Sequence, residues 1–235
     1  MSLLLILCGY LMGSVPFAYL AGRLIRGIDI REYGTRSVGG SNAYEQVGRW
    51  LLVAVGLLDV SKAALPTWLA LRLGMSMPTA VATGLAALTG HNWPLYLGFW
   101  GGRGLSTCAG VLVVVFPWGA LWELAAMGVG RLLRHPFVNL LGLAALPLLA
   151  WVLREPPEVV ASGAAMFLIV SLKRLEANRE PLPPGRARWA VLKRRWLLDR
   201  DIEDWDAWIT RRPEGAAPSR PIATGEHDQP PRGAD

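Results

Sequence analysis

Apolar residues fall in long runs along this chain, and the polar, glycine-rich stretches between them mark where the runs end. The pattern predicts helices over residues 2–22, about 50–71, 78 to about 97, 136–153 and 157–172, with one longer apolar stretch over 104–130. Gly13 and Pro16 are tolerable inside the first helix, because neighbouring helices can satisfy the backbone groups they free. Pro117 either kinks one long helix or separates two short ones. Arginine counting decides for two. Splitting there puts Arg23, Arg26, Arg31, Arg36, Arg49, Arg103, Arg131 and Arg134 on the side of the basic tail and leaves Arg72 and Arg154 opposite, as the positive-inside bias requires. The expectation is therefore about seven transmembrane helices, N-terminus outside and C-terminus cytoplasmic. Its cost is length: two helices from 102 to 132 would have about 15 residues each, short of the ~20 that cross a full hydrocarbon core.

Composition agrees. With 52% hydrophobic and 18% charged residues and a mean hydropathy of +0.32, the chain reads as an all-α polytopic membrane protein rather than a soluble domain. Cys8 and Cys108 lie inside apolar runs, which excludes a disulfide framework and a thiolate metal site. No cofactor or metal is expected. The net charge of +6 does not point to nucleic acid, because the basic residues mostly flank apolar runs, where lipid headgroups lie. Residues 2–22 lack a basic n-region and a small-residue cleavage site, so they are not read as a signal peptide. A transporter has little support, since no repeated pair of broken helices is visible.

Beyond residue 175 the chain changes character. After PLPPG at 181–185, the segment RARWAVLKRRWLLD carries Trp189, Leu192, Trp196 and Leu197 at helical spacing among basic residues, the pattern of an interfacial amphipathic helix. Residues 201–211, with Trp205 and Trp208, suggest a short second helix packing on the first. Further on, the proline, glycine and polar content predicts disorder. The division is thus 1–175 for the membrane part, 176–211 for a basic amphipathic tail and 212–235 for a disordered end.

Candidate chemistry concentrates in three places. The stretch GHNWPLYLGFWGGRGLST at 90–107 combines His91, Asn92 and Arg103 with Gly101, Gly102 and Gly104; glycines bring backbone N–H groups close to a ligand, and the guanidinium supplies forked donors for an anion. The alternative is a tight turn whose arginine meets headgroups. Residues 28–49 are dense in hydroxyl, amide and glycine groups, able to form an anion nest. Asp59 and Lys62 share a helix face inside the second span, either as a structural ion pair or as part of a site. Glu180, with Arg174 and Arg179 nearby, either orients one of those arginines or is simply a solvated helix end.

The run GSVPFAYLAGRLIRGIDIREYG with the loop after it, GHNWPLYLGFWGGRG and KRLEANRE resemble the three cytoplasmic motifs of the acyl-phosphate:glycerol-3-phosphate acyltransferase family, the bacterial PlsY type. The resemblance covers about residues 8–181. It implies a monomeric inner-membrane enzyme, active at its cytoplasmic face, that moves a fatty acyl group from an acyl phosphate to glycerol 3-phosphate without metal or protein acyl intermediate. Thr35, Arg103 and His91 would then be catalytic, His91 being either a direct contact or a structural prop. Gly34, Arg36, Gly39, Gly40, Ser41, Asn42, Gly101, Gly102, Gly104, Ser171, Arg174 and Glu180 would bind substrate, with Asp59 and Lys62 supporting from beneath.

The departures bear on activity. Glu45 stands where the first motif has arginine, Trp100 and Arg103 where the second has lysines, and Leu168 and Ser171 where the third has histidine and asparagine. Losing a phosphate-binding cation and gaining a carboxylate could each cost ~1–3 kcal/mol. The rival to an enzyme is therefore a catalytically silent paralogue that binds lipid or phosphate as a scaffold.

Overall fold

A computed structural model describes residues 1–213; the expected disordered end lies, apart from its first two residues, outside them. Among the described residues the regular elements are all helical: α1 (Ser2–Gly13), α2 (Phe17–Ala21), α3 (Gly40–Gln46), α4 (Leu51–Arg72), α5 (Met77–Asn92), α6 (Leu105–Val115), α7 (Pro117–Leu132), α8 (Phe137–Val152), α9 (Pro157–Glu176), α10 (Ala187–Leu198) and α11 (Trp205–Ile209), with short π and 3-10 turns between some of them.

Proline sets several of the boundaries. The first apolar run, expected as one helix, breaks at Ser14–Pro16 and ends in a π turn over Gly22–Arg26. The third ends at Asn92, short of the expected 97, because Trp93 precedes Pro94 and leaves the helical region at φ −129°, ψ 72°. Phe116 likewise lies at φ −156°, ψ 76° and closes α6 immediately before Pro117 opens α7. Helix α6 begins beside the glycine-rich 98–104 loop, and Arg131 near the end of α7 stacks 4.3 Å from the Tyr44 ring. Both ends thus lie at the same end of the bundle as the loop after α2, which makes α6 and α7 a hairpin with Pro117 at its far tip. Pro66 and Pro147 sit inside α4 and α8 without breaking them.

Packing fixes what faces inward. Leu88, Leu112, Phe116, Leu143, Leu146 and Met166 are fully buried at the centre, whereas Leu3, Leu57, Leu65, Leu121, Leu148 and Leu168 point outward and are exposed. An apolar girdle of that kind is stable only against lipid. Two segments, Ser2–Arg26 and Leu51–Arg72, are long and apolar enough to cross a bilayer by length and composition. Helices α1 and α5 meet backbone to backbone: a Cβ on Gly13 would lie 2.0 Å from the Ala87 carbonyl oxygen, so only glycine fits.

The tail departs from expectation. Helix α10 packs on α8 and α9 through Val191 and Arg195, while Trp189 of the expected apolar face is exposed. Helix α11 buries Trp208 and fastens to the first glycine loop: Gln46 Nε2 donates to the Ile209 carbonyl, 2.8 Å away.

Candidate active site at one end of the bundle

The floor of the site is a buried charge cluster. Lys62 Nζ lies 2.9 Å from Asp59 Oδ1 and donates to the Val15 carbonyl at 3.0 Å. That carbonyl lies at the α1 break, so the helix interruption and the ammonium satisfy each other. His91 Nδ1 is 3.5 Å from the same Asp59 oxygen. Its other edge supports the second glycine loop, for a Cβ on Gly102 would sit 2.1 Å from His91 Nε2. Gly102 N–H in turn donates to the His91 carbonyl, 3.1 Å away. Both contacts are those the reading of His91 as a prop requires.

Two loops meet above this floor. The first is held by Asn42, whose Nδ2 donates to the Ile30, Tyr33 and Ser37 carbonyls, each 3.1 Å away, while Oδ1 accepts from Thr35 N–H at 3.2 Å. The second crosses it: Val38 N–H donates to the Gly101 carbonyl at 3.3 Å. Trp100 Nε1 donates to the Arg36 carbonyl at 2.9 Å. Asn178 completes the seam, with its Oδ1 accepting from Gly101 N–H at 3.3 Å and its Nδ2 donating to the Gly101 carbonyl at 3.2 Å. Asn178 is aimed there by a reversal after α9 in which Ala177, Asn178 and Arg179 all have positive φ, a strained run that persists only where surrounding contacts hold it.

Charged residues form the rim. Arg36 pairs with Glu180, and Arg103 Nε pairs with Asp199 from the tail. Arg211 donates to the Gly34 carbonyl through Nε and Nη2 at 3.2 and 3.0 Å, and Gly34 N–H donates back to the Arg211 carbonyl at 2.9 Å. Burial pushes the Arg211 guanidinium below its usual range, with Arg36 adding in the same direction and Glu180 opposing. Buried donors without partners remain here, Arg36 Nε and Arg103 Nη1 among them. A buried, unpaired guanidinium N–H is costly unless a partner takes it up, so these two donors are left with capacity to bind an acceptor.

Several expected roles change. Asn42 spends its whole amide on the first loop and is a brace rather than a substrate contact. Arg174 is buried and donates to the Trp196 and Pro136 carbonyls at 3.1 and 3.0 Å, tying α10 and the start of α8 to α9. Glu180 orients Arg36 rather than Arg174 or Arg179. Thr35 Oγ1 accepts from Ser37 N–H at 3.3 Å. Gly40 packs toward the Leu52 carbonyl of α4, Gly39 precedes α3 in extended backbone, Gly104 enters α6 at φ 83°, and Ser41 is exposed. Ser171 Oγ is buried without a partner. Glu45 faces Arg131, Arg49 and Arg134; burial nevertheless raises its carboxyl above the usual range. The segment expected as a short second helix is tied to α10 through Arg194 and Arg195, which donate to Asp201, and also fastens to the first glycine loop through Ile209 and Arg211. Sequence reasoning missed Asp199, Arg211 and Asn178; the last stood within a quoted motif, Asp199 ends a segment read as lipid-facing, and Arg211 ends one read as a second helix packing on the first. Among the described residues no group of three or more His, Cys, Asp or Glu side chains is placed to hold a metal.

Comparison with known proteins gives this geometry a context. The chain is 38% identical over 216 residues to glycerol-3-phosphate acyltransferase 4 of Dehalococcoides mccartyi (strain CBDB1), covering 89% of this chain and 93% of that protein. It is 39% identical over 178 residues to glycerol-3-phosphate acyltransferase of Parasynechococcus marenigrum (strain WH8102), covering 73% and 78%. The crystal structure of PlsY, an integral membrane glycerol 3-phosphate acyltransferase, in its glycerol 3-phosphate form superposes with a TM-score of 0.67 at 28% identity, over 74% of this chain and 88% of that one. The lysophosphatidic acid form gives 0.65 at 26% identity, over 80% and 98%. Residues 3–180 match the model of the glycerol-3-phosphate acyltransferase family, so this membrane protein belongs to that family.

Proposed function

We propose that this chain transfers a fatty acyl group from an acyl phosphate to glycerol 3-phosphate, forming lysophosphatidic acid for phospholipid synthesis. The observation that carries the reading is the seam itself. Two glycine loops from distant parts of the sequence meet over one buried floor, and unpaired guanidinium donors lie at their rim.

In this reading the acceptor's hydroxyl oxygen attacks the acyl carbonyl carbon, the bond from that carbon to the phosphate oxygen breaks, and inorganic phosphate leaves. The proton of the hydroxyl passes to a substrate phosphate oxygen. No protein nucleophile is required, because the donor is already an activated mixed anhydride. The protein contributes proximity and charge stabilisation: Arg36 and Arg103 hold phosphate, the N–H groups of Gly101 and Gly102 being taken by Asn178 Oδ1 and the His91 carbonyl, and Thr35 and Ser41 face the acceptor. Leu95, Tyr96 and Phe99, exposed beside the second loop, offer an apolar landing for the acyl chain. Trp100 acts as a cross-brace between the loops in the place of a lysine.

Topology follows the same reading. The seven passes are α1 with α2, then α4, α5, α6, α7, α8 and α9, in a monomer. The arginine-rich loops share the site's end, which supports a cytoplasmic active face and an external N-terminus. The test is direct: purified protein with palmitoyl phosphate and glycerol 3-phosphate, scored for lysophosphatidic acid. Product that falls sharply in Arg103→Ala is expected; folded wild-type protein that yields none overturns the reading.

A further inference from the structure

The family match ends at residue 180, yet the segment beyond it reaches back to the candidate phosphate-holding arginine. Asp199 Oδ1 accepts from Arg103 Nε in a contact where both side chains are largely buried. The carboxylate is not on a loose flap. Four residues earlier, Arg195 is 2% exposed and donates to the Asp201 carboxylate at 2.7 and 3.0 Å, to the Leu175 carbonyl at 3.3 Å and to the Glu180 carbonyl at 3.0 Å. Arg174 holds the next residue's carbonyl, that of Trp196, at 3.1 Å. Asp199 itself caps α10 at φ 53°, a left-handed conformation uncommon for a residue with a side chain. The tail therefore fixes one carboxylate at one place.

A guanidinium has two edges. Held by Nε, Arg103 still presents its Nη groups, and Nη1 is buried with no partner. A lysine at this position, as the second motif has, offers three donors on one freely turning nitrogen, so a carboxylate that grips it does not fix the direction of the others as it does for a planar fork. Arg174 lies within electrostatic reach of both Asp199 and Arg103, so the added carboxylate does not face an incoming phosphate uncompensated.

We propose that Asp199 is a positioning residue: the tail grips Arg103 by its Nε edge so that the free edge meets the phosphate of glycerol 3-phosphate, and the lysine-to-arginine change and the tail work as one unit. The proposal rests on the reading of Arg103 as a phosphate holder. It also gives the tail a role in acceptor binding that membrane docking would not.

The experiment is a kinetic cycle in purified full-length protein. Asp199→Asn keeps the size and suits positive φ, so it removes charge without disturbing the α10 cap. The expected result is a KM for glycerol 3-phosphate raised roughly tenfold with kcat little changed, the loss of one charge-assisted orienting contact. In an Arg103→Lys background the same substitution should move KM less than about twofold, because a lysine has no Nε edge to be held. A lower KM in Asp199→Asn would show that the carboxylate competes with substrate, and equal shifts in both backgrounds would show a general effect on the tail; either overturns the proposal. Arg103→Ala separates the two levels. If it raises KM while Asp199→Asn does not, only the positioning role falls; if it leaves KM unmoved, the phosphate-holding reading falls and the proposal with it.

Discussion

The floor and the rim of the site are both made of ion pairs, but water treats them differently. Asp59 and Lys62 have side chains 4% exposed each, whereas Arg36 is 36% and Glu180 15% exposed. In the floor each charge has given up its hydration and depends on its partner, which makes the pair costly to form and more costly to halve. At the Arg36–Glu180 pair of the rim solvent screens the attraction more, so the partner can be exchanged for a substrate phosphate at smaller cost. A site that binds and releases an anion needs both: a floor that does not move and a rim that does.

Breaking the floor gives the largest expected effect. Lys62→Met strands the Asp59 carboxylate inside the bundle and removes the donor to Val15, and should destabilise by ~3–5 kcal/mol. At this chain length that corresponds to a fall of roughly 10 °C in the unfolding midpoint, measured in detergent micelles. Adding Asp59→Leu should recover most of the loss. A single variant as stable as the parent would mean that water reaches the pair and that the floor is not dry.

The join between floor and rim comes next. Gly102→Ala places a methyl 2.1 Å from His91 Nε2 and 2.8 Å from the Val38 carbonyl oxygen, so the second loop must lift. We expect kcat/KM to fall on the order of a hundredfold, because Arg103, the next residue, moves with the loop while the helices stay. Assay of lysophosphatidic acid alongside the melting curve checks this. Wild-type activity would show that the loop's seat on His91 does not set the site.

How much of this could be read from the residues differs between the two regions. The helix runs were legible because apolar length and proline leave a direct mark, and Pro117 was weighed correctly as a break. The convergence of the glycine loops was legible only through the family resemblance, since no local pattern says which loops meet. Asn42 was mistaken for a ligand contact because an asparagine in a nest looks the same in sequence whether it faces a ligand or three carbonyls. Asp199 was invisible. Amphipathic spacing in α10 suggested lipid, and the face actually buried is centred on Val191 and Arg195, an arginine whose burial is explained only by acceptors distant in sequence.

At the rim, Glu180→Gln tests exchangeability. Losing a partly exposed pair should change stability by less than ~1 kcal/mol, yet Arg36 would lose its orientation and the KM for glycerol 3-phosphate should rise several-fold. Unchanged KM with lowered stability would make this pair a structural one like the floor.

The smallest effect separates two carboxylates of the outer layer by the sign of their pH dependence. The Arg31 guanidinium holds Asp29 below its ordinary value of 3.8, with burial opposing and Arg23 assisting. Its contribution is therefore complete above about pH 4 and is lost as pH falls through the lowered folded value. Glu45 behaves in the opposite sense. Burial raises its carboxyl above 4.5 against the pull of Arg131, Arg49 and Arg134, so what it contributes is complete below about pH 4.5 and lost as pH rises through the raised folded value. Glu45→Gln should then raise the midpoint slightly at pH 7, by under ~0.5 kcal/mol because the group is partly exposed and screened, and lose that advantage near pH 4. Asp29→Asn should lower the midpoint at pH 7 and converge with the parent below pH 3. If Glu45→Gln instead destabilises at pH 7, the surrounding arginines outweigh burial, and Glu45 belongs with the paired carboxylates of the rim.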